Sequence, residues 1–337
     1  MIIHTQAVAR AGLIGNPSDG YFGKTISVAL RNFGAQVACY ESPRVVILPT
    51  RRDRLEFDSV DSLVEDVRRH GYYGAVRLIK ATIKRFGDEC RARGLRLASR
   101  NFTIEYTTDI PVRVGLAGSS AIITSVMRAL TSFYEVEIPD TLLPNLIMSV
   151  ETEELGIAAG LQDRVIQVYE GVVFMDFDRQ QMQQHGHGAY ESLSPDNLPP
   201  LFVAYHETLA EGTEVPHNNL RARFEASEAG VLAAMDRFAQ LAQEARDHIV
   251  AGRGERIAPL MDANFDQRAA ICLISEGNRQ LVETGRRHGA AVKFAGSGGA
   301  VIGCYDGDPK RLARIRADYE AIGARLFEPM IQKPVAR

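Results

Sequence analysis

Apolar positions along this chain recur at two periods, and the change from one to the other separates strands from helices. Residues 6–15 carry Ala7, Val8, Ala9, Ala11, Leu13 and Ile14, which predicts a buried strand ending at Gly15. Asn16-Pro17-Ser18-Asp19-Gly20 is dense turn chemistry. Residues 25–30 then alternate Ile26, Val28 and Leu30 with Thr25, Ser27 and Ala29, so strand, loop, strand is expected. Residues 35–40 and 45–48 predict further strands, and 51–58 a charged loop or short strand. Residues 74–93 place Val76, Ile79, Ile83 and Phe86 at helical spacing with basic residues between them, as an amphipathic helix does. Phe102, Ile104 and Tyr106 alternate as in a half-buried strand, whereas Ala121, Ile122, Ser125, Val126 and Ala129 recur helically. Residues 111–121 therefore lie between a strand and a helix.

Farther on, residues 141–154 and 164–169 suit helices and 171–177 a strand. Residues 180–200 are polar, with a Gln/His/Gly run and then Pro195, Pro199 and Pro200, the composition of a loop or domain junction. A strand at 201–205, helices near 217–252 (broken or whole), 255–275 and 276–288, strands at 291–294 and 300–305 around a glycine turn, and a last helix at 309–322 complete an α+β pattern. A length of 337 residues exceeds that of a typical single domain, so two domains are expected, 1–195 and 196–337.

Composition narrows the function classes. With 39 basic and 42 acidic residues the formal charge is −3, which gives no general case for a nucleic-acid or membrane partner. Cys39, Cys90, Cys272 and Cys304 stand too far apart for a zinc site and suit reduced core thiols. No stretch reaches the roughly 18 apolar residues of a spanning helix, and no signal-peptide layout opens the chain; a cytoplasmic protein is the expectation. His185-x-His187 lacks a third ligand nearby and suits a solvated turn. Nothing here sets an oligomeric state.

The candidate chemistry centres on Gly115-Leu116-Ala117-Gly118-Ser119-Ser120-Ala121. Glycines and serines at a helix start offer unpaired backbone N–H groups, the positive end of the helix dipole and small hydroxyls, which suits a bound phosphate; an ordinary N-capped helix fits the same residues. Gly23-Lys24-Thr25 ends like a Walker A loop, but Ser18 stands where its first glycine belongs and a period-two pattern follows where a helix is needed. Gly296-Ser297-Gly298 is followed by strand-like residues, not the helix of a dinucleotide fold, so a β-hairpin turn is the simple alternative.

Three runs, in order, also resemble a known family. Pro111-x-x-x-Gly115-Leu116-x-Gly118-Ser119-Ser120-Ala121 is similar to the phosphate loop of the GHMP kinases, with one residue more before the serines than the commonest form. Arg10, Leu13, Ile14, Gly15 and Asp19 match that family's N-terminal sugar-binding motif, with Asn16-Pro17 in place of Glu-His. Lys293-Phe294-Ala295-Gly296-Ser297-Gly298-Gly299-Ala300 resembles its third, glycine-rich motif. The run from Gly15 to Thr25 and the run from Glu154 to Val165 further resemble the glucuronokinase branch. The resemblance implies an N-terminal ribosomal-protein-S5-domain-2-like domain, a C-terminal ferredoxin-like domain, and transfer of a phosphoryl group from ATP with Mg²⁺ to a small sugar.

By the same resemblance Asp163 is the acid that orients or deprotonates the acceptor hydroxyl, Arg10 assists it, and Ser120 with Glu151 holds the metal, Glu153 and Glu154 being close alternatives. An N-cap or a solvated acidic helix end is the plain alternative for these carboxylates. Asn16, Ser18, Asp19, Gly296, Ser297 and Gly298 are expected at the acceptor. A uronic acid needs a cation as well, for which Lys24, Arg113 and Arg164 are candidates. Tyr72 and Tyr73 are candidate adenine neighbours or core aromatics. The resemblance implies D-glucuronate as the acceptor, with a kinase for another sugar or sugar acid as the alternative within the class, and a silent sugar sensor or a decarboxylase of the same superfamily as the alternatives to a kinase.

Overall fold

Apolar alternation at the N-terminus folds into the longest hairpin of the molecule, β1 (Ile2–Ile14) against β2 (Lys24–Ser42). The computed structural model describes residues 2–50, 53, 59, 74–209 and 214–332, without the side chains of 214–219; most of the 51–58 stretch and the pair Tyr72–Tyr73 lie outside the described residues. The two strands expected at 25–30 and 35–40 are one. Register slips between Val8↔Gly34 and Ala9↔Leu30, so Arg31–Phe33 bulge out of the pairing and bend β2 without ending it. The bend lets each half of β2 take a different second neighbour. Its C-terminal half pairs with β4 (Asn101–Thr108), beside which β3 (Val46–Leu48) runs parallel, and its N-terminal half pairs with β5 (Val172–Asp176).

The 180–200 stretch, expected to be irregular, is a correction. Asp178 caps a short helix, α5 (Arg179–His185), accepting from Gln181 N at 3.0 Å, and Gly186 ends it in the left-handed region. β6 (Ala189–Leu193) then pairs with β5 and completes a six-stranded sheet. The polarity is genuine, since α5 buries no residue, but its caps and Tyr190 against Tyr169 and Phe177 suffice to order it.

Helix α1 (Ala75–Ala92) packs on α2 (Gly118–Tyr134), which covers one face of this sheet; Leu78, Ile79, Phe86, Ile123, Val126, Met127 and Leu130 join the common apolar cluster. Then come α3 (Leu143–Ser149), which opens into a wider π-type turn at Val150–Glu154, and α4 (Gln162–Tyr169). The second sheet is antiparallel, in the order β10 (Arg325–Phe327), β7 (Leu201–Tyr205), β9 (Ala300–Cys304), β8 (Ala291–Phe294); the short edge strand β10 was not expected. Helices α6 (Glu214–Glu225), α7 (Ala229–Val250), α8 (Ala258–Ile271), α9 (Glu276–Arg286) and α10 (Pro309–Ala321) accompany it. Leu241, Ala242, Ala245 and Ile249 of α7 are fully buried in the same apolar cluster as β1 and β2, so the two sheets share one core. None of the described helices is long and apolar enough to cross a membrane.

Candidate active site

Among the described strands β1 pairs with β2 alone, so its other edge carries N–H groups that need partners. Two loops supply them. Arg10 N donates to Leu116 O at 3.2 Å, and Gly12 N donates to Ala295 O at 2.7 Å. The phosphate-type loop and the glycine turn are thereby fixed side by side along one strand edge.

The Arg10 side chain repeats the same connection. It is 6% exposed; its Nε donates to Asp163 Oδ1 at 2.7 Å, and its Nη1 donates to Gly115 O at 2.5 Å and Ala295 O at 3.1 Å. One guanidinium joins the three segments that resemble the family motifs. Close approach here requires glycine, since a Cβ on Gly296 would collide with Gly115 O and lie 3.0 Å from Arg10 Nη1.

Asp163 lies inside the first turn of α4, two residues past the cap residue Leu161, and does not cap the helix. Arg164 flanks it from the other side, with Nη1 at 3.5 Å from Asp163 Oδ2 and 2.8 Å from Gly160 O. The far end of Arg164 is in a close ion pair with Glu151 inside the π-type turn, both side chains 4% exposed. Glu151, Arg164, Asp163 and Arg10 thus form one alternating chain of charges. Burial of that many charges is tolerable only because each faces an opposite charge or a carbonyl. Glu153 and Glu154 are not part of it; they pair with Arg85 and Lys84 at the surface of α1.

Asp19 sits on a 3-10 turn (Ser18–Tyr21) after the cis Asn16–Pro17 bond. Its Oδ2 accepts from Gln162 N at 3.3 Å, and a Cβ on Gly160 would collide with that carboxylate, so Gly160 makes the room for it. Burial, and then the neighbouring Asp163 carboxylate, push Asp19 up from 3.8 to about 6. Ser18 is fully buried, and its hydroxyl donates to Lys24 O at 3.0 Å. Asn16 is 4% exposed and accepts from Lys293 at 2.5 Å.

On the phosphate side, Ala117 adopts a left-handed conformation (φ 62°), which a residue with a Cβ takes only when held. Its carbonyl is held by Ala121 N at 3.2 Å, Ser120 Oγ at 3.1 Å and Gln167 Nε2 at 2.9 Å. Arg113 shares this conformation (φ 61°). Gly118 and Ser119 are half-exposed at the start of α2, whereas Ser120 is fully buried. Leu116 is buried beneath the loop and Ala121 inside the helix. Ser120 and Glu151 are both hard oxygen donors of the kind Mg²⁺ takes, though each is engaged, with Ala117 O and with Arg164.

Of the cations proposed for a substrate carboxylate, two are otherwise occupied. Lys24 turns to Asp176 Oδ2 at 2.8 Å and Gln243 Oε1 at 2.9 Å, and Arg164 serves Glu151. Three site residues were not anticipated. Lys293, 1% exposed, donates to Gly12 O, Asn16 Oδ1 and Phe294 O; burial and the nearby Arg268 and Arg10 charges hold its ammonium well below the usual lysine range. Arg268 donates to the carbonyls of Gly296 and Ser297 at 2.8 and 3.0 Å. Asn264 accepts from Gly15 N at 2.6 Å and donates to Asn16 O at 3.0 Å. A lone lysine in the apolar strand Ala291–Phe294, and Asn264 and Arg268 one helical turn apart on a buried stripe, were the available signals.

Comparison with known proteins places the chain in a family. Residues 76–171 match the family model described as the GHMP kinases N terminal domain. The chain is 41% identical over 307 residues to glucuronokinase 1 of Arabidopsis thaliana, covering 89% of this chain and 84% of that one. It is likewise 41% identical over 309 residues to the probable glucuronokinase 2 of the same plant. In three dimensions the galactokinase of Lactococcus lactis, solved with galactose, superposes with a TM-score of 0.79 at 15% identity, over 99% of this chain and 94% of its own. With motifs, fold and relatives in agreement, the chain belongs to the GHMP kinase family.

Proposed function

We propose that this protein is an ATP-dependent sugar 1-kinase that transfers the γ-phosphoryl group to the anomeric hydroxyl of D-glucuronate, giving D-glucuronate 1-phosphate. The observation that carries it is the Arg10 guanidinium, which holds Asp163, the phosphate loop and the glycine turn within one set of hydrogen bonds. Phosphoryl transfer asks a protein for alignment and charge neutralisation more than for covalent chemistry. The start of α2 directs backbone N–H groups at the triphosphate, with Gly118 and Ser119 at the accessible end and Arg113 on the same loop.

Asp163 accepts the hydrogen bond of the acceptor hydroxyl and takes its proton late, as the bond to phosphorus forms; Arg10 and Arg164 fix its orientation. Asp19, whose carboxyl titrates near 6, lies beside Asp163 and holds a second sugar hydroxyl. Gly296, Ser297 and Gly298 close the acceptor side, braced by Arg268. Ser120 and Glu151 would hold Mg²⁺, which offsets the negative charge of the β- and γ-phosphates. The glucuronokinase relatives support the acceptor assignment.

A coupled ADP-release assay over glucuronate, galacturonate, glucose, galactose and fucose tests it. Glucuronate-selective turnover is expected. Preference for a neutral sugar would remove the substrate assignment, and ATP binding without turnover on any sugar would remove the activity.

A further inference from the structure

A uronate differs from its parent hexose by one carboxylate, so selectivity for it requires a cation that still has N–H groups to give. Several cations of the site are spent. Arg10 serves Asp163 and two carbonyls, Arg164 serves Glu151 and Gly160, Lys293 serves three oxygens, Arg268 serves the glycine turn, and Lys24 faces Asp176. Arg113 belongs to the loop that faces the triphosphate.

Arg221 is differently placed. It comes from α6 and reaches across to the acceptor turn, where its Nη2 donates to Gly20 O at 3.3 Å and its guanidinium lies 5.4 Å over the Tyr21 ring. Gly20 follows Asp19 directly, about 3.8 Å away along the backbone. The Arg221 side chain is 50% exposed, and the nearest carboxylate among the described residues, Glu225, stands 3.9 Å away, beyond hydrogen-bond distance. Stacking on Tyr21, which itself packs on Phe224 at 4.9 Å, orients the planar fork. A cation held at one end and open at the other, next to the residue that holds the sugar, is what a carboxylate reader needs.

We propose that Arg221 is the specificity-determining residue that recognises the carboxylate of an acidic sugar acceptor. This rests on the sugar-acid kinase activity proposed above. Arg179 is the natural control, because it also stacks on the same turn, 4.2 Å over Phe22, from the exposed start of α5.

The test compares kcat/KM for glucuronate and for glucose in the parent protein, in Arg221→Gln, which keeps an amide donor for Gly20 O, and in Arg179→Gln. The glucuronate-to-glucose ratio is expected to fall about ten-fold or more in Arg221→Gln, mainly through KM for glucuronate, with KM for ATP unchanged. It should be unchanged in Arg179→Gln. An unchanged ratio in Arg221→Gln, or a parallel loss on both sugars, overturns the assignment while leaving the kinase intact. An equal fall in Arg179→Gln would indicate general charge steering and overturn it too. A parent protein that prefers glucose overturns the sugar-acid reading and this inference together. If Arg221→Gln does not fold, Arg221→Lys decides, since lysine keeps the charge but lacks the bidentate fork and the ratio should still fall.

Discussion

Asp163 occupies its position because two guanidiniums hold it, Arg10 at 2.7 Å and Arg164 at 3.5 Å. Replacing it by Asn keeps the size and one acceptor oxygen but removes the charge, so turnover is expected to fall by about 10²–10⁴ with binding of ATP retained. ADP release and nucleotide binding, measured on the same preparation, check this; turnover equal to the parent would exclude Asp163 from the chemistry. Asp19 illustrates a different balance. Its proton is held more tightly in the folded chain, at about 6 against 3.8, so its contribution to stability is complete below about 3.8 and is lost as pH rises through about 6. Asp19→Asn should therefore be more stable than the parent at pH 7.5, by up to about 3 kcal/mol, with no advantage at pH 4, and should be impaired as a kinase. Urea melts at the two pH values decide it: an equal difference at both would mean that the carboxylate is not strained in the apo fold.

Between elements, the critical contact is that of the phosphate loop with the glycine turn. Gly296→Ala puts a methyl group into Gly115 O and against the Arg10 guanidinium, so the loops must part. A stability loss of about 1–3 kcal/mol and a disproportionate loss of kcat are expected, read by thermal melting beside steady-state kinetics. Retained kcat would show that Arg10 tolerates separation of the loops. These two loops were legible in the sequence because period two gives way to period 3.6 at one and glycine interrupts alternation at the other. The bent β2 was not, since the bulge at Arg31–Phe33 looks like a turn when the pairing partner is unknown. Nor was the 179–193 segment, where a capped, seven-residue polar helix and a five-residue strand give too little periodicity to count. Arg10 and Asp163 could be named from their motifs. Lys293 and Arg268 could not be assigned roles, because their partners are backbone carbonyls, which every sequence has everywhere.

At the scale of the whole molecule, the change of sheet near residue 196 invites the view that two units fold separately, but the packing argues otherwise. Leu241, Ala242, Ala245 and Ile249 of α7 are fully buried against the β1–β2 hairpin, and Ala242 lies against Gly15. Arg246 grips Glu191 with two bonds of 2.9 Å, and Gln243 accepts from Lys24. The C-terminal segment returns as well, with Met330 N donating to Asn32 Oδ1 at 2.8 Å and Arg31 N to Met330 O at 2.9 Å. A fragment ending at residue 195 would uncover this apolar face and leave the Gly12 N–H without Ala295. Each large apolar side chain that no longer finds cover forfeits roughly 1.5–3 kcal/mol, against a total stability of only about 5–15 kcal/mol. The intact chain should therefore melt in one transition, and the 1–195 fragment should show no cooperative transition by near-UV circular dichroism. A fragment that melts cooperatively would mean that the second sheet is dispensable for folding, and that the active site forms when two finished domains meet.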